Sequence, residues 1–348
     1  MTVYIGVDFH ARQQTISYLT TEDGEIHQLV LRHENQLEVR AFYEQFAGRQ
    51  VIVGFEGSGY AAWFEELLEE LGYEIWIGHA TYIRQFAKRR QKNDRRDADL
   101  ILELLVSGDF PRIHRYSAAT RHMLQQLRYR HRLVKMRTMA TNMLLFMGTS
   151  RGHSFRRQLK SKRGQARFAA LPLPQPLAQQ RDELLQLLPQ LDQRIAAAEQ
   201  WLKKHTGDDV AVQRLQTHPG IGLLTSICIC YTLECVGRFP NTRKVSAYAG
   251  FDPMEDRSDE RYRMGAISKQ GSRWLRFYLV EAGQMAIRKD AELAHVYKRV
   301  ALRRGHAKAK VAVARRLLVR AFIMLRDEID YAEFLRRGVA ARSSRGGA

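Results

Sequence analysis

The sequence predicts a mixed α/β domain at the N-terminus, followed by a longer, mainly helical and strongly basic remainder. Two apolar runs, Val3-Tyr4-Ile5-Gly6-Val7-Asp8 and Val51-Ile52-Val53-Gly54-Phe55-Glu56, have the composition of buried strands, and each ends in an acid. Segments with helical spacing lie between and after them, the pattern of an α/β layer. The charge also changes sign along the chain. Residues 1–80 hold 4 Lys/Arg against 13 Asp/Glu, although all 348 residues together carry +19.

After the first strand, Thr15 to Leu19 and Ile26 to Leu31 flank the turn residues Asp23-Gly24 and read as a hairpin. Residues 35–47 have helical spacing. The second acid-ended strand then passes through Gly57-Ser58-Gly59 into a helix over 60–71. Glu74 to Ile77 is a further short strand, and helices follow from about residue 81. In Gln91-Lys92-Asn93-Asp94-Arg95-Arg96-Asp97-Ala98-Asp99-Leu100, helical spacing puts Asp94 and Asp97 on one face. That face continues into Ile101, Leu104 and Leu105, with Asp99 on the far side. Acids kept only for solubility belong opposite the leucines. Capping by Asn93 or Asp94, with the acids answering the helix dipole, explains the same residues in structural terms.

Strand ends in such sheets form the ligand crevice. Asp8, Glu56, Asp94 and Asp97 brought to one edge would repel, and divalent cations remove that cost. Carboxylates with little His or Cys nearby suit Mg²⁺ or Mn²⁺. A pair of such ions is the usual machinery of phosphodiester chemistry.

From Phe110 through Arg181 there are 16 basic residues and no acid. A mixed surface would carry both signs, so this run predicts a polyanionic partner, nucleic acid, rather than a membrane. No apolar run reaches transmembrane length and the first residues read as a strand, so the expected location is the cytoplasm. Cys228, Cys230 and Cys235 lack a matching ligand set and are expected to be buried thiols. Residues 118–147 read helical. Gly148 to Arg167 has poor periodicity and reads as a basic loop or arm, with Arg156, Arg157 and Lys160 candidates for phosphate. Leu184, Leu188, Leu191, Ile195, Ala198 and Leu202 then form a heptad seam, with Pro189 a possible kink. The two helical stretches predict either a coiled coil, antiparallel or between subunits, or an internal bundle.

His218-Pro219-Gly220-Ile221-Gly222 has the form of a helix-hairpin-helix turn, whose amides at Gly220 and Gly222 can grip phosphate. Leu223 to Val236 reads as a buried helix. Three serines follow. Ser258 lies in a polar loop over 255–261, Ser268 precedes a helix beside Lys269 and near Arg273, and Ser272 caps that helix. Spacing alone assigns all three to turns or caps. Tyr297 to Arg320 reads as a basic helical face, and residues beyond about 336 as disordered.

GVDFH, FEGSGY and KNDRRDA, with YAGFDP, a serine five residues on, and ISKQG before an LR-containing helix, resemble the motifs of DEDD insertion-sequence transposases. That family includes bridge-RNA-guided serine recombinases, with Piv-type DNA invertases as relatives. The resemblance covers roughly residues 3 to 325. It implies a RuvC-like, RNase H-type catalytic domain over 1–115 and a basic helical or coiled-coil region over 116–205. A serine-bearing transposase domain over 206–335 and a tail over 336–348 complete the chain. It further implies Asp8, Glu56, Asp94 and Asp97 as ligands of Mg²⁺ (or Mn²⁺), and Ser258 as nucleophile with Ser268 as competitor. Lys269 and Arg273 would hold phosphate. The implied partners are DNA, a guide RNA and further copies of the chain, in a composite site joining the acids of one subunit to the serine of another. Where the family has a Ser-Gly pair, this chain reads Ser258-Asp259, which sets a carboxylate where phosphate would approach. A resolvase-like metal nuclease that ignores the serine, an RNA-free invertase and a non-enzymatic nucleic-acid scaffold are the competing readings.

Overall fold

The computed structural model describes residues 1–87, 93–258 and 261–343, and these divide into two units, Met1–Tyr116 and Ser117–Ala348.

In the first unit, β1 (Thr2–Phe9), β2 (Gln13–Thr20) and β3 (Ile26–Arg32) form an antiparallel meander, followed by α1 (Gln36–Glu44). The elements β4 (Gln50–Glu56), α2 (Ala62–Glu70), β5 (Glu74–Gly78), α3 (Ala80–Gln85) and α4 (Asp94–Ser107) follow. The five strands lie in the order β3-β2-β1-β4-β5, with β1, β4 and β5 parallel. This is the mixed sheet that the apolar runs predict. Alternation along the strands sends Val3, Ile5, Val7 and Phe9 of β1, with Val51, Val53 and Phe55 of β4, into one core beneath Tyr43, Phe64 and Leu68. The other face meets α4 through Ile52, Ile101, Leu104 and Leu105.

The second unit begins with α5 (Ala118–Thr149), α6 (Lys162–Ala169) and α7 (Gln175–His205). Helices α5 and α7 pack against each other along the predicted seam, from Leu144 near Leu188 to Leu133 near Leu191 and Ile195. Ion pairs Arg137–Asp192 and Arg130–Glu199 fix an antiparallel register within one chain. Pro189 lies inside α7, which runs without a break from Gln175 to His205. Residues 148–167 are not the irregular arm their periodicity suggests. Phe155, Leu159 and Phe168 pack onto α5, around a short 3-10 turn and α6. Three apolar anchors in a basic segment are too sparse to register as a period.

The remaining elements are α8 (Val210–Gln216), α9 (Leu223–Leu233), α10 (Thr242–Tyr248), β6 (Pro253–Ser258), β7 (Arg261–Ile267) and α11 (Arg273–Ala286). The last are α12 (Ala291–Arg304), α13 (His306–Arg326) and α14 (Tyr331–Ser343). Their core contains Ile227, Cys228, Leu275, Leu279, Leu317 and Phe322. Of the polar stretch 255–261, read as a loop, the described residues 255–258 and 261 instead belong to a two-stranded ribbon, β6 against β7. The basic face over 297–320 is divided at Gly305, whose φ of +82° breaks the helix between α12 and α13. Cys228 is buried and Cys230 half-buried, but Cys235 is exposed because it follows the end of α9. The tail is also more ordered than its composition suggests, since α14 extends to Ser343. Its first turn is tied down by Tyr331, which donates to the Asp290 carboxylate and packs its ring at a tilt against His218. Among the described residues, no helix is long and apolar enough to cross a membrane.

Candidate metal centre and nucleic-acid interface

Asp8 and Glu56 close adjacent parallel strands. The pairing of Val7 with Phe55, carried one residue further, sets the two acids side by side about 4.8 Å apart in backbone spacing. Two residues earlier, Gly6 pairs with Gly54. A Cβ on Gly6 would lie 2.6 Å from the Leu102 amide nitrogen and 2.7 Å from the Ala98 carbonyl oxygen. A Cβ on Gly54 would meet the Leu105 side chain at 2.7 Å. The two glycines therefore let α4 lie directly on the strands. Asp8 shares the Gly6 face, so the first turn of α4 reaches it.

That turn is capped by Asn93, whose side chain accepts from the Arg95 amide at 3.1 Å. The capping explanation thus holds for Asn93, leaving Asp94 and Asp97 free for other work. The donor atoms of Asp8, His10 and Asp94 lie within 4.8 Å of one another, all on half-buried residues. His10 Nε2 is 3.0 Å from Asp8 Oδ2 and 3.7 Å from Asp94 Oδ1. Burial pushes the Asp8 carboxyl above its ordinary range. His10 pulls it down, and the Asp94 and Asp97 charges push it up again. Crowded, partly desolvated carboxylates with an open side fit a divalent cation.

The structure does not gather all four predicted acids equally. Asp97 acts on Asp8 through its charge but lies outside the group of close donors. Glu56 also lies outside that group and faces Arg84 Nη2 at 3.8 Å. Asp99, predicted on the far side of the helix, instead turns toward the sheet, accepting from Ser17 at 2.6 Å and Gln28 at 2.5 Å and tying α4 to the meander. Sequence reasoning missed His10, Gly6 and Gly54. The available signals were Asp-x-His at a strand end, whose i, i+2 spacing shares a face, and a glycine two residues before each acid. Gly6→Ala is expected to cost about 1–3 kcal/mol through overpacking. Because the clash is with the α4 backbone, the same variant should lose metal binding, read by calorimetry.

In the second unit, Ser258 ends β6 with Arg261 as its register partner, at the end of the ribbon where β6 leads into β7. Its hydroxyl, and Asp259 and Lys92 entirely, lie outside what is described. Ser268 is engaged: its hydroxyl donates to Asp252 Oδ1 at 2.6 Å and its amide to the Asp252 carbonyl at 2.8 Å. Around it, the Arg276 guanidinium donates to the carbonyls of Ala249 and Gln270 at 2.9 and 3.1 Å. Gly250 and Gly271 have positive φ, and a Cβ on either would sit 2.0 Å from a backbone oxygen. The segments over 248–252 and 267–272 are thus locked together, and Lys269, at φ +55°, is turned outward from this knot. Arg273 opens α11 behind the predicted Ser272 cap and lies over the Trp274 ring.

Gly220, at φ +100°, is pressed against the Ala286 backbone, so its role is close packing. His218 holds this turn in place. Its Nδ1–H donates to the Pro219 carbonyl at 2.9 Å, and Arg320 approaches Nε2 at 3.4 Å. Burial and the Arg320 charge lower its pKa to about 4, which keeps the ring neutral. Gly222 is exposed and caps α9 without a side-chain partner, leaving amides open to an anion. Arg156, Arg157 and Lys160 are all exposed, on a segment anchored by Phe155 and Leu159.

Residues 5–146 match a transposase family model of the IS110 DEDD type. Residues 212–298 match the family described as Transposase IS116/IS110/IS902. The chain is similar to a probable family 20 transposase of Pseudomonas aeruginosa, 26% identical over 76% of this chain and 79% of the relative. It is also similar to the transposase for insertion sequence element IS1328 of Yersinia enterocolitica, 28% identical over 68% of this chain and 71% of the relative. A third relative, the transposase for IS1111A of Coxiella burnetii, is 28% identical over 67% of this chain and 66% of its own length. Matches to two models of these transposases, over residues 5–146 and 212–298, together with the transposase relatives, make the chain a DNA-processing enzyme of the IS110/IS116 family of insertion-sequence transposases.

Proposed function

We propose that the enzyme is a site-specific DNA recombinase in which Ser258 attacks a DNA phosphate under the control of the acid cluster at the end of β1. The reading rests above all on the convergence of Asp8, Asp94 and His10 where α4 crosses the sheet. Family membership adds to it, since DEDD transposases depend on divalent metal ions. Asp8 and Asp94 would hold the ion, with Glu56 and Asp97 as further ligands that the family resemblance implies. A bound Mg²⁺ or Mn²⁺ supplies Lewis-acid polarisation of the phosphate and eases loss of the serine proton. An unassisted serine hydroxyl is a weak nucleophile near neutral pH. Its attack forms a Ser258 Oγ–phosphorus bond, breaks the bond to the 3′ oxygen and releases a 3′-OH for joining to another strand. Lys269, Arg273, the α9 amides behind Gly222, and Arg156, Arg157 and Lys160 hold the backbone phosphates. RNA-guided targeting belongs to the same reading, and the long basic, acid-free stretch from Phe110 to Arg181 supports a second polyanion beside the DNA.

The test is an in-vitro reaction with duplexes carrying the ends of the enzyme's own element and a target site, with Mg²⁺ and co-purified RNA. Joined strands between element and target support the reading. Nicked products alone would mean a structure-selective nuclease, and joining that survives complete RNA digestion would mean an RNA-free invertase.

The enzyme is further proposed to act as a homo-oligomer. Met136, Met139, Met143 and Phe146 of α5 are 55%, 66%, 50% and 74% exposed at alternating steps of three and four. This is a second apolar seam, distinct from the one facing α7, and no charged residue occurs between Thr138 and Ser150. A groove of about 520 Å³ beside Phe146, between α5 and the start of α7, offers a place for the partner's ring. Phe146→Glu is expected to reduce the oligomer to monomer in light scattering while leaving the helical circular dichroism intact. An unchanged mass would remove this seam from the interface.

A further inference from the structure

We propose that His10 is itself a ligand of the metal centre, so that the site is an Asp–His–Asp set which prefers Mn²⁺ to Mg²⁺. The inference rests on reading Asp8 and Asp94 as metal ligands, and goes beyond it by adding a nitrogen donor and an ion preference.

Three observations carry it. First, His10 follows Asp8 by two residues at the end of β1, so both side chains leave the same side of the chain. The intervening Phe9 is buried and stacked on Phe64, with ring centroids 5.1 Å apart, while the His10 amide donates to the Gln13 carbonyl at 3.0 Å. The backbone that carries the imidazole is therefore fixed at the β1–β2 turn. Second, the donor atoms are spaced for coordination. Ions that bind oxygen or nitrogen at about 2.0–2.2 Å set neighbouring ligand atoms about 3 Å apart. His10 Nε2 lies 3.0 Å from Asp8 Oδ2 and 3.7 Å from Asp94 Oδ1, and all three donor atoms lie within 4.8 Å of one another, so inward movement of the exposed Asp94 closes the set. Third, the His10 side chain is 37% exposed and that of Asp94 42%, whereas Asp8 is 14%. The least exposed carboxylate, that of Asp8, anchors the site, and the two more open ligands face the side from which an ion arrives.

An imidazole donor changes which ion the site favours. Mg²⁺ prefers oxygen, demands near-ideal octahedral geometry and gives up water reluctantly. Manganese accepts nitrogen more readily while keeping carboxylate ligands. An alternative role for the same residue is a counter-ion that offsets the acids until the metal displaces it. The two roles have opposite signatures. Removing a ligand weakens binding, whereas removing a counter-ion strengthens binding of every cation.

The test uses the full chain without DNA, titrated separately with Mn²⁺ and with Mg²⁺, as wild type, His10→Ala and His10→Gln. Circular dichroism confirms that each variant is folded. Wild type is expected to bind Mn²⁺ more tightly than Mg²⁺. Both variants should lose at least about tenfold in Mn²⁺ affinity, the scale of disturbing a ligand shell, with a much smaller change for Mg²⁺. Pulsed electron paramagnetic resonance of bound Mn²⁺ should show nitrogen coupling in wild type that is absent from both variants. Unchanged Mn²⁺ affinity, equal losses for both ions, tighter binding of both ions, or missing nitrogen coupling would each overturn the role of His10. Failure of wild type to bind either ion would instead remove the metal centre itself.

Discussion

Asp8→Asn should give a metal-free protein that is more stable than wild type and a recombinase that is almost inactive. The two effects share one cause. Burial and the Asp94 and Asp97 charges push the Asp8 carboxyl above its ordinary range. A raised carboxyl binds its proton more tightly in the folded state than in the unfolded one. Its contribution to stability is therefore full below the unfolded value near 3.8 and is lost as pH rises through the raised folded value. At neutral pH the ionised carboxylate is a burden on the fold that asparagine does not carry. The melting temperature of the metal-free variant should rise at pH 7, by about 2–4 °C for each kcal/mol relieved, and the difference from wild type should vanish in acid. Saturating divalent ion should stabilise wild type but not the variant, because only wild type can exchange the repulsion for coordination. Strand cleavage should fall by about 10³-fold, since polarisation by a bound ion is worth several kcal/mol and each 1.4 kcal/mol is tenfold in rate. Calorimetry across pH, with and without ion, together with a cleavage assay, checks all three parts. A variant less stable than wild type at pH 7 would mean that Asp8 is held by favourable contacts rather than strained for function.

Ser258→Ala should abolish strand joining while leaving metal binding and folding unchanged, because the ribbon β6–β7 is a separate two-stranded sheet. Ser268→Ala should behave differently. Its hydroxyl is committed to Asp252 and its amide to the same residue's carbonyl, so its loss loosens the knot around Gly250 and Gly271. The expected cost is about 1–3 kcal/mol of stability, that of a carboxylate deprived of a buried partner, with residual joining activity. The two serines are thus distinguished by which property fails. Mixing Asp8→Asn with Ser258→Ala adds a further expectation. If the acids of one subunit serve the serine of another, the mixture recovers part of the activity that neither variant has alone. No recovery at any ratio would place both groups in one subunit.

The first unit was legible because its signals are apolar. The runs around Val3–Val7 and Val51–Phe55 are buried on the strands that their composition predicts. The leucine face of α4 lies where Asp94 and Asp97 point. What stayed hidden depended on contacts between elements. Gly6 and Gly54 read as ordinary small residues until α4 is seen to cross them. His10 was overshadowed by the neighbouring acids, since its one signal is the short Asp-x-His spacing at the end of β1. In the second unit, the β6–β7 ribbon was missed because Glu255, Asp256, Arg257 and Ser258 show no apolar alternation. Strand detection relies on a face to bury, and a free two-stranded ribbon need not have one. The helix α14 was missed because its order comes from Tyr331 reaching Asp290 and His218, over 40 and 110 positions away respectively, and not from its own basic sequence.

The most direct measurement is to trap the protein on cleavable element-end DNA, digest it, and map the DNA remnant by mass spectrometry, with Mg²⁺ or Mn²⁺ and again with chelator. The remnant should be a phosphodiester on Ser258, present with either ion, absent with chelator and absent in Asp8→Asn. DNA that is cut with no protein attached, or an attachment that forms equally well without ions, would contradict the account.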